Sequence, residues 1–159
     1  MSNNRQQGFT LVEAMVALVI LTTALGPMLY LANSAVNSAY IIRDNMIASG
    51  LAQEGVEVVR NIRDANWLNG RAFDAGLTNG TYRTEWNSTS LLTLSSNPPL
   101  KLDNGLYNYS FGTATPFKRA ISITKVNGGE LQVTSAVSWE LRGGSIKTIQ
   151  AEDHLFNWK

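Results

Sequence analysis

Cysteine is absent from this sequence, and its absence removes several kinds of chemistry together. A chain without thiols has no disulfide bond, no thiolate metal site and no cysteine nucleophile. Histidine occurs once, at His154, directly after Asp153. Because neighbouring residues of a strand point to opposite faces, this pair is more typical of a solvated or packed histidine than of a catalytic dyad. We therefore expect no metal ion, no cofactor and no enzymatic activity.

Charged residues are also scarce, at 16% of the chain, and they nearly cancel to a net charge of +1. So small a net charge provides no strong attraction to nucleic acid or to an anionic surface. The basic residues of the C-terminal part are scattered, so nucleic acid is not an expected partner. The hydrophobic content of 44% is that of a folded chain, and 159 residues suffice for one modest domain plus an extension.

The apolar residues concentrate in one run, residues 9–32, in which Glu13 is the only charge. A helix rises about 1.5 Å per residue, so this run would measure about 36 Å, more than the roughly 30 Å of a hydrocarbon core. Arg5 lies upstream of the run, whereas the first charged residue downstream is Arg43. We therefore predict a single membrane crossing with the N-terminus in the cytoplasm and the chain after about Asn33 outside.

From 33 to 65 the pattern becomes that of an amphipathic helix, with one apolar stripe at spacings of four and seven residues. The stripe consists of Val36, Tyr40, Ile47, Leu51, Val58 and Ile62. No stop signal separates this stretch from the apolar run, so the sequence predicts one helix from Phe9 to Ala65. Its first half would face lipid or other helices, and its second half would lay the stripe on a globular head.

Residues 66–159 are predicted to form that head. Turn signals dominate residues 66–116, where alternation of apolar and polar residues predicts two strands, Thr81–Trp86 and Leu106–Phe111. The tripeptide Asp103-Asn104-Gly105 is read as a turn, since a calcium loop would need more oxygen ligands at spaced positions.

The last forty residues give the clearest β pattern of the sequence. Alternation from Ile121 to Leu155 is interrupted by glycine turns at 127–129 and 143–144, which predicts a three-stranded antiparallel meander. One face of this meander is apolar and needs a cover, which the amphipathic half of the helix would supply. The predicted fold class is therefore α+β, with a long N-terminal helix packed on an antiparallel β-sheet head.

The residues Gly8-Phe9-Thr10-Leu11-Val12-Glu13, followed by an apolar helix, resemble the type IV prepilin signature. That family comprises pilins, type II secretion pseudopilins and competence pseudopilins. The resemblance covers GFTLVEAMVALVIL, about a tenth of the chain, and places a glutamate fifth in the mature chain. It implies that residues 1–8 are a leader, that prepilin peptidase cuts between Gly8 and Phe9, and that the Phe9 amine is then methylated.

The single charge at Glu13 also has a direct physical interpretation. A carboxylate at the centre of a membrane helix costs about 2.5–3.5 kcal/mol, and less near the helix end where Glu13 lies. A cut after Gly8 would create a cation on Phe9, and the helix dipole favours a carboxylate in the first turn. The resemblance adds that this glutamate interacts with the N-terminal amine of a neighbouring subunit during assembly. In a low-dielectric bundle such a pair would set the axial register.

Gly26 and Pro27 lie inside the apolar run. Pro27 cannot donate a hydrogen bond to the Thr23 carbonyl, so the helix is expected to kink or loosen there. An ordinary membrane-helix proline is compensated by its neighbours. The resemblance implies a functional alternative, local unwinding when subunits pack into a filament.

The leading hypothesis is a structural subunit, a minor type IV pilin or pseudopilin. The resemblance implies other pilin subunits, prepilin peptidase and an inner-membrane assembly platform as partners. The precursor would sit in the inner (cytoplasmic) membrane, and the mature chain would join an extracellular or periplasmic filament through head-to-tail contacts.

Three alternatives remain open at this point. The first is a pilus-tip or membrane-anchored adhesin whose aromatic head contacts a surface, a ligand or DNA. The second is a membrane-tethered hydrolase using His154, although no nucleophile elbow accompanies it. The third is a secretory signal peptide cut near Ala32–Ser34.

Overall fold

A computed structural model describes residues 9–158 of the chain. Within this range the chain forms one helix, α1 (Leu11–Leu68), followed by strands only. In chain order these are β1 (Gly80–Arg83), β2 (Leu92–Thr93), β3 (Lys101–Asp103), β4 (Leu106–Asn108), β5 (Thr113–Ala114), β6 (Lys118–Asn127), β7 (Glu130–Glu140) and β8 (Ile146–Phe156).

α1 ends slightly later than the predicted Ala65, and a glycine explains its end. Gly70 adopts a left-handed conformation with φ of +67°, which glycine tolerates because it has no Cβ. The N–H of Arg71 donates to the Asn66 carbonyl at 2.8 Å, and the N–H of Gly70 donates to the Trp67 carbonyl at 3.0 Å. This pair of bonds is a Schellman motif, which satisfies carbonyls that the last helical turn leaves unpaired.

The chain divides into two compact units, residues 1–42 and residues 43–159. Of the first unit the structure describes residues 9–42, which are helical from Leu11 onward and exposed throughout. α1 is long and apolar enough to cross a membrane.

The second unit contains the last part of α1 and two sheets. The larger sheet has five antiparallel strands in the order β2-β1-β6-β7-β8. Strands β6, β7 and β8 form a meander, in which Ile121 lies opposite Ser135 and Val133 lies opposite Asp153. Burial alternates strictly along β7. The predicted fold class, a long N-terminal helix packed on an antiparallel sheet, is confirmed.

The smaller sheet has three antiparallel strands in the order β4-β3-β5, and the sequence indicated only one of them. The predicted strand Leu106–Phe111 ends at Asn108, because Asn108 Oδ1 accepts the N–H groups of Ser110 (2.9 Å) and Phe111 (2.7 Å) and turns the chain. The predicted strand Thr81–Trp86 is shorter as well, since β1 ends at Arg83. Strands of two or three residues are too short for alternation to reveal them.

The core lies between α1 and the larger sheet and forms two clusters. The first includes Val56, Val59, Ile62, Ile121, Ile123, Val133 and Leu155. The second includes Ala48, Leu51, Ala52, Leu100, Phe117, Val137 and Trp139. The buried face of α1 starts at Ala48. Val36 and Tyr40 of the predicted stripe belong to the first unit and are exposed, and their packing on the head stays a prediction.

One arginine connects α1 to two other parts of the head. Arg119 of β6 is fully buried, and its Nη1 donates to the Leu51 carbonyl at 3.0 Å and to Glu54 Oε1 at 2.8 Å. Its Nη2 donates to the Thr84 carbonyl at 2.7 Å. In the sequence this residue is one of several scattered basic residues, and no local pattern marks it as buried.

Candidate functional site

The described part of the first unit, residues 9–42, exposes many large apolar side chains, which surround the helix over residues 9–32. Its large exposed side chains are Phe9, Leu11, Val12, Met15, Val16, Leu18, Val19, Ile20, Leu21, Leu25, Met28, Leu29, Tyr30, Leu31, Val36, Tyr40, Ile41 and Ile42. A contiguous apolar surface of this kind marks a site that lipid or other protein covers. A helix apolar on all sides is typical of a membrane span.

Phe9 and Glu13, two of the predicted site residues, lie at the start of this surface. Phe9 precedes α1 and is exposed, whereas Glu13 occupies the first helical turn. The Glu13 carboxylate forms no hydrogen bond or ion pair with any residue from 9 to 158. Gly8 and the rest of the predicted leader lie outside the described residues.

Thr10 supplies a local role for this motif that the sequence analysis did not consider. Its Oγ1 accepts a hydrogen bond from the Glu13 N–H at 3.3 Å, which makes Thr10 the N-cap of α1. Threonine followed three residues later by glutamate is also the sequence of a capping box. Within this motif Thr10 sets the start of α1, and Glu13 provides the negative charge of the first turn.

Gly26 and Pro27 both lie within α1, which remains helical through them. A Cβ added at Gly26 would meet no atom of residues 9–158 within 4 Å, so no contact with them requires a glycine there. One turn earlier, the Thr22 and Thr23 hydroxyls donate to carbonyls of the preceding turn at 2.9–3.0 Å. Such bonds slightly weaken and bend a helix. The predicted local unwinding stays a prediction.

His154 lies on the solvent-facing side of β8 between two glutamates. Its Nδ1 is 2.7 Å from Glu130 Oε1, and its Nε2 is 3.6 Å from Glu152 Oε1. The hydrogen bond to Glu130 raises the pKa of His154 above its usual value. Asp153 pairs with Arg60 at 2.7 Å instead, and no hydroxyl of residues 9–158 bonds to the imidazole. The arrangement is an exposed ion-pair cluster and lacks the geometry of a hydrolytic triad.

The turn Asp103-Asn104-Gly105 connects β3 to β4 as a hairpin, with Asn104 at φ of +48°. No group of three or more histidine, aspartate or glutamate residues within 9–158 is placed to hold a metal ion.

Comparison with protein families identifies the N-terminal segment. Residues 3–29 match the model of the prokaryotic N-terminal methylation motif, which is the signature of type IV prepilin-like proteins. No curated protein and no solved structure matches the chain. The matched segment contains Gly8, Phe9, Glu13, Gly26 and Pro27.

The motif and the fold together define the class of protein. The chain carries the signature of a type IV pilin or pseudopilin-type precursor, and its long helix on an antiparallel sheet is a pilin-like layout. The motif implies processing by prepilin peptidase and assembly with other pilins, and it supports membrane anchoring before assembly. It indicates a structural protein.

Proposed function

We propose that this chain is a structural subunit of a type IV pilus or a related pseudopilus, and a minor component of it. The observation that carries the proposal is the apolar helix surface of residues 9–42, which overlaps the methylation motif of residues 3–29 and carries a single carboxylate, Glu13. Lipid covers this surface before assembly, and the helices of neighbouring subunits cover it afterwards.

The proposed processing assigns a role to each part of the chain. Residues 1–8 are the leader, 9–32 the membrane and filament-core helix, 33–65 the helix entering the head, and 66–159 the β head. Prepilin peptidase cuts after Gly8, where the absence of a side chain leaves the peptide bond accessible, and then methylates the Phe9 amine. The N-terminus faces the cytoplasm while the precursor is anchored.

Glu13 is proposed to direct assembly. Within the described residues its carboxylate is unpartnered, so it is available to the N-terminal amine of an adjacent subunit. In a water-poor bundle the attraction between a carboxylate and an amine is several times stronger than in water. A subunit shifted along the filament axis would leave both charges unpaired in an apolar environment, and the penalty selects one register.

Intact-mass measurement and N-terminal sequencing test this function, applied separately to sheared filaments and to membranes. We expect a mature chain that starts at Phe9 with a methylated amine, and low abundance in filaments relative to the major subunit. A chain that starts after Ser34, or one that keeps its leader in its final location, would refute the proposal. High abundance would indicate a major subunit instead.

A second candidate function, a tip-located or membrane-anchored binding module, is compatible with the same anchor. One feature of the head favours it specifically, an aromatic cleft on the smaller sheet.

A further inference from the structure

A cleft of about 280 Å³ opens on the head between the β3–β4 hairpin and the loop that follows β1. Its apolar lining comes from Trp86, Leu106 and Phe111. Trp86 is 47% exposed and Phe111 is 74% exposed. Neither belongs to the two core clusters of the head, so neither ring is placed by the need to fill the core.

The rings sit on loops that are fixed by hydrogen bonds. On the first loop, the Glu85 N–H donates to Ser88 Oγ at 2.8 Å, and the Ser88 N–H donates to the Glu85 carbonyl at 3.1 Å, which closes the turn containing Trp86. Glu85 Oε1 also accepts the Tyr109 N–H at 2.9 Å and so ties this loop to the end of β4.

The backbone that carries the second ring is fixed as well. Asn108 Oδ1 accepts the N–H of Phe111 at 2.7 Å. The next residue, Gly112, packs so closely on β3 that a Cβ there would lie 2.2 Å from the Leu102 carbonyl oxygen. Both sides of the cleft are therefore preorganised, which reduces the entropy that a ligand must overcome on binding.

Polar side chains without partners surround the rings. Asn87, Asp103 and Asn104 line the cleft, and their side chains form no hydrogen bond or ion pair with residues 9–158. Each amide offers two donors and a carbonyl acceptor, and the carboxylate offers acceptors alone. An apolar floor with a few convergent polar groups is the usual composition of a small-molecule site, although this cleft is at the small end of the usual range of about 300–1,000 Å³.

The charge of the lining narrows the class of ligand. Glu85 and Asp103 are acidic, and the lining contains no lysine or arginine. An anion would meet the carboxylates of Glu85 and Asp103, whereas the Lys101 ammonium next to the lining already donates to the Ser110 carbonyl at 3.1 Å. The ligand is therefore a molecule without negative charge that offers an apolar face to the rings and hydroxyl groups to the amides and the carboxylate.

We propose that this cleft binds a neutral carbohydrate ring. A pyranose has both features, since its C–H face stacks on an aromatic ring while its hydroxyls donate to a carboxylate or amide oxygen and accept from an amide N–H. The size of the cleft fits a single ring. This inference goes beyond the proposed function and does not depend on it, because a sugar site on the head is independent of how the helix assembles.

The test uses the mature full-length chain in zwitterionic micelles, since glycoside detergents would compete for the site. Saturation-transfer NMR and titration follow the binding of the methyl glycosides of glucose, galactose, mannose and N-acetylglucosamine, with N-acetylneuraminic acid as the anionic comparison. We expect saturable binding of at least one neutral glycoside and no binding of the acid. Trp86→Ala and Phe111→Ala should each weaken binding about tenfold or more.

Trp158→Ala is the matched control, because Trp158 is likewise an exposed tryptophan but contacts Trp67 edge to face and is not part of the cleft lining. It should leave the affinity unchanged. Asp103→Asn should weaken binding without altering the thermal midpoint, since that carboxylate has no partner within the described residues. The proposal is overturned if no neutral glycoside saturates, if Trp86→Ala binds as the unmodified chain does, or if the cleft variants abolish filament assembly without any sugar binding. The last result would make the cleft a subunit contact.

Discussion

Arg119 and Glu54 form an ion pair, 2.8 Å between Nη1 and Oε1, in which the arginine side chain is fully buried while the glutamate side chain is one-third exposed. Such asymmetry means that the arginine bears most of the desolvation penalty. The Leu51 and Thr84 carbonyls compensate by accepting two further bonds from the guanidinium. Arg119 therefore holds α1, β6 and the segment after β1 in one arrangement.

Replacing Arg119 by methionine should strongly destabilise the head. The variant leaves two carbonyls without their donor, and breaking a buried pair usually costs about 3–5 kcal/mol. The denaturant midpoint in micelles measures the effect. Lys118→Met is the control, because Lys118 is the exposed neighbour on the same strand and surface changes usually stay within about 0.5 kcal/mol. Equal midpoints for the two variants would show that the buried pair is not a stabilising element.

Replacing each of two glycines of α1 by alanine should change the free energy of unfolding in opposite directions. A Cβ on Gly55 would lie 2.3 Å from Ser135 Oγ and 3.2 Å from Arg119 Cδ, whereas a Cβ on Gly50 would meet nothing within 4 Å. Gly55→Ala should therefore destabilise by about 1–3 kcal/mol through overpacking. Gly50→Ala should stabilise by about 0.5–1 kcal/mol through helix propensity.

Thermal unfolding followed by circular dichroism compares the two glycine variants. Combining Gly55→Ala with Ser135→Gly removes the atom in conflict and should recover most of the lost stability. If the double variant is no more stable than Gly55→Ala alone, the close approach of α1 to β7 is not the cause.

Substitutions at Glu13 and Thr10 should distinguish the effect of the Glu13 charge on filament assembly from the effect of the helix cap. Glutamine at this position preserves the capping-box sequence with Thr10 but removes the charge. We expect both Glu13→Ala and Glu13→Gln to be inserted and cut normally, yet to be strongly depleted from sheared filaments, as measured by immunoblot against membranes. Thr10→Ala weakens the cap by about 1 kcal/mol without changing the charge, and should assemble better than either. Normal incorporation of Glu13→Gln would contradict the role in register.

His154 should make the stability of the head depend on pH. Glu130 raises the pKa of the folded-state imidazole above its ordinary value of 6.5, so the stabilisation is fully present below about pH 6.5 and is lost as the pH rises through the raised pKa. The pKa of Glu152 is lowered by hydrogen bonds from Gln132 and Thr134 and by the charge of His154, so its contribution is present above its ordinary value and is lost in acid.

Thermal midpoints of the unmodified chain and of His154→Gln, measured between pH 6 and pH 8.5, check this dependence. The unmodified chain should lose more stability across that interval than the variant does. Parallel curves would show that the cluster does not contribute. Filament incorporation should remain unchanged in His154→Gln, since the residue has no role in the proposed assembly.

Local periodicity explains which parts of this fold the sequence could predict. Apolar residues such as Val133 and Val137 alternate with polar ones over a long strand. Leu51, Val58 and Ile62 recur at helical spacing. The type of each of these elements can therefore be predicted from its own residues. The prepilin signature is likewise contiguous in sequence. These features need no knowledge of distant contacts.

Features that depend on contacts between distant residues could not be predicted in this way. The contact of Arg119 with Glu54 joins residues far apart in sequence, and an isolated arginine gives no sign of burial. The smaller sheet is built from strands of two or three residues. The cleft contains Trp86 and Phe111, which are far apart in the sequence, so no local pattern predicts that these two exposed rings share one site.

The exposed apolar surface of residues 9–42 also bears on the energy of growth of the proposed fibre. Acyl chains are as apolar as leucine side chains. Moving this segment from a bilayer into a helix bundle therefore transfers it between two water-free environments and gains little hydrophobic free energy. Extrusion is then near balance, and the same segment can return to the bilayer without a large barrier from water. A net preference for the bundle must therefore come from terms other than apolar burial, such as the proposed pairing of Glu13 with an adjacent amine.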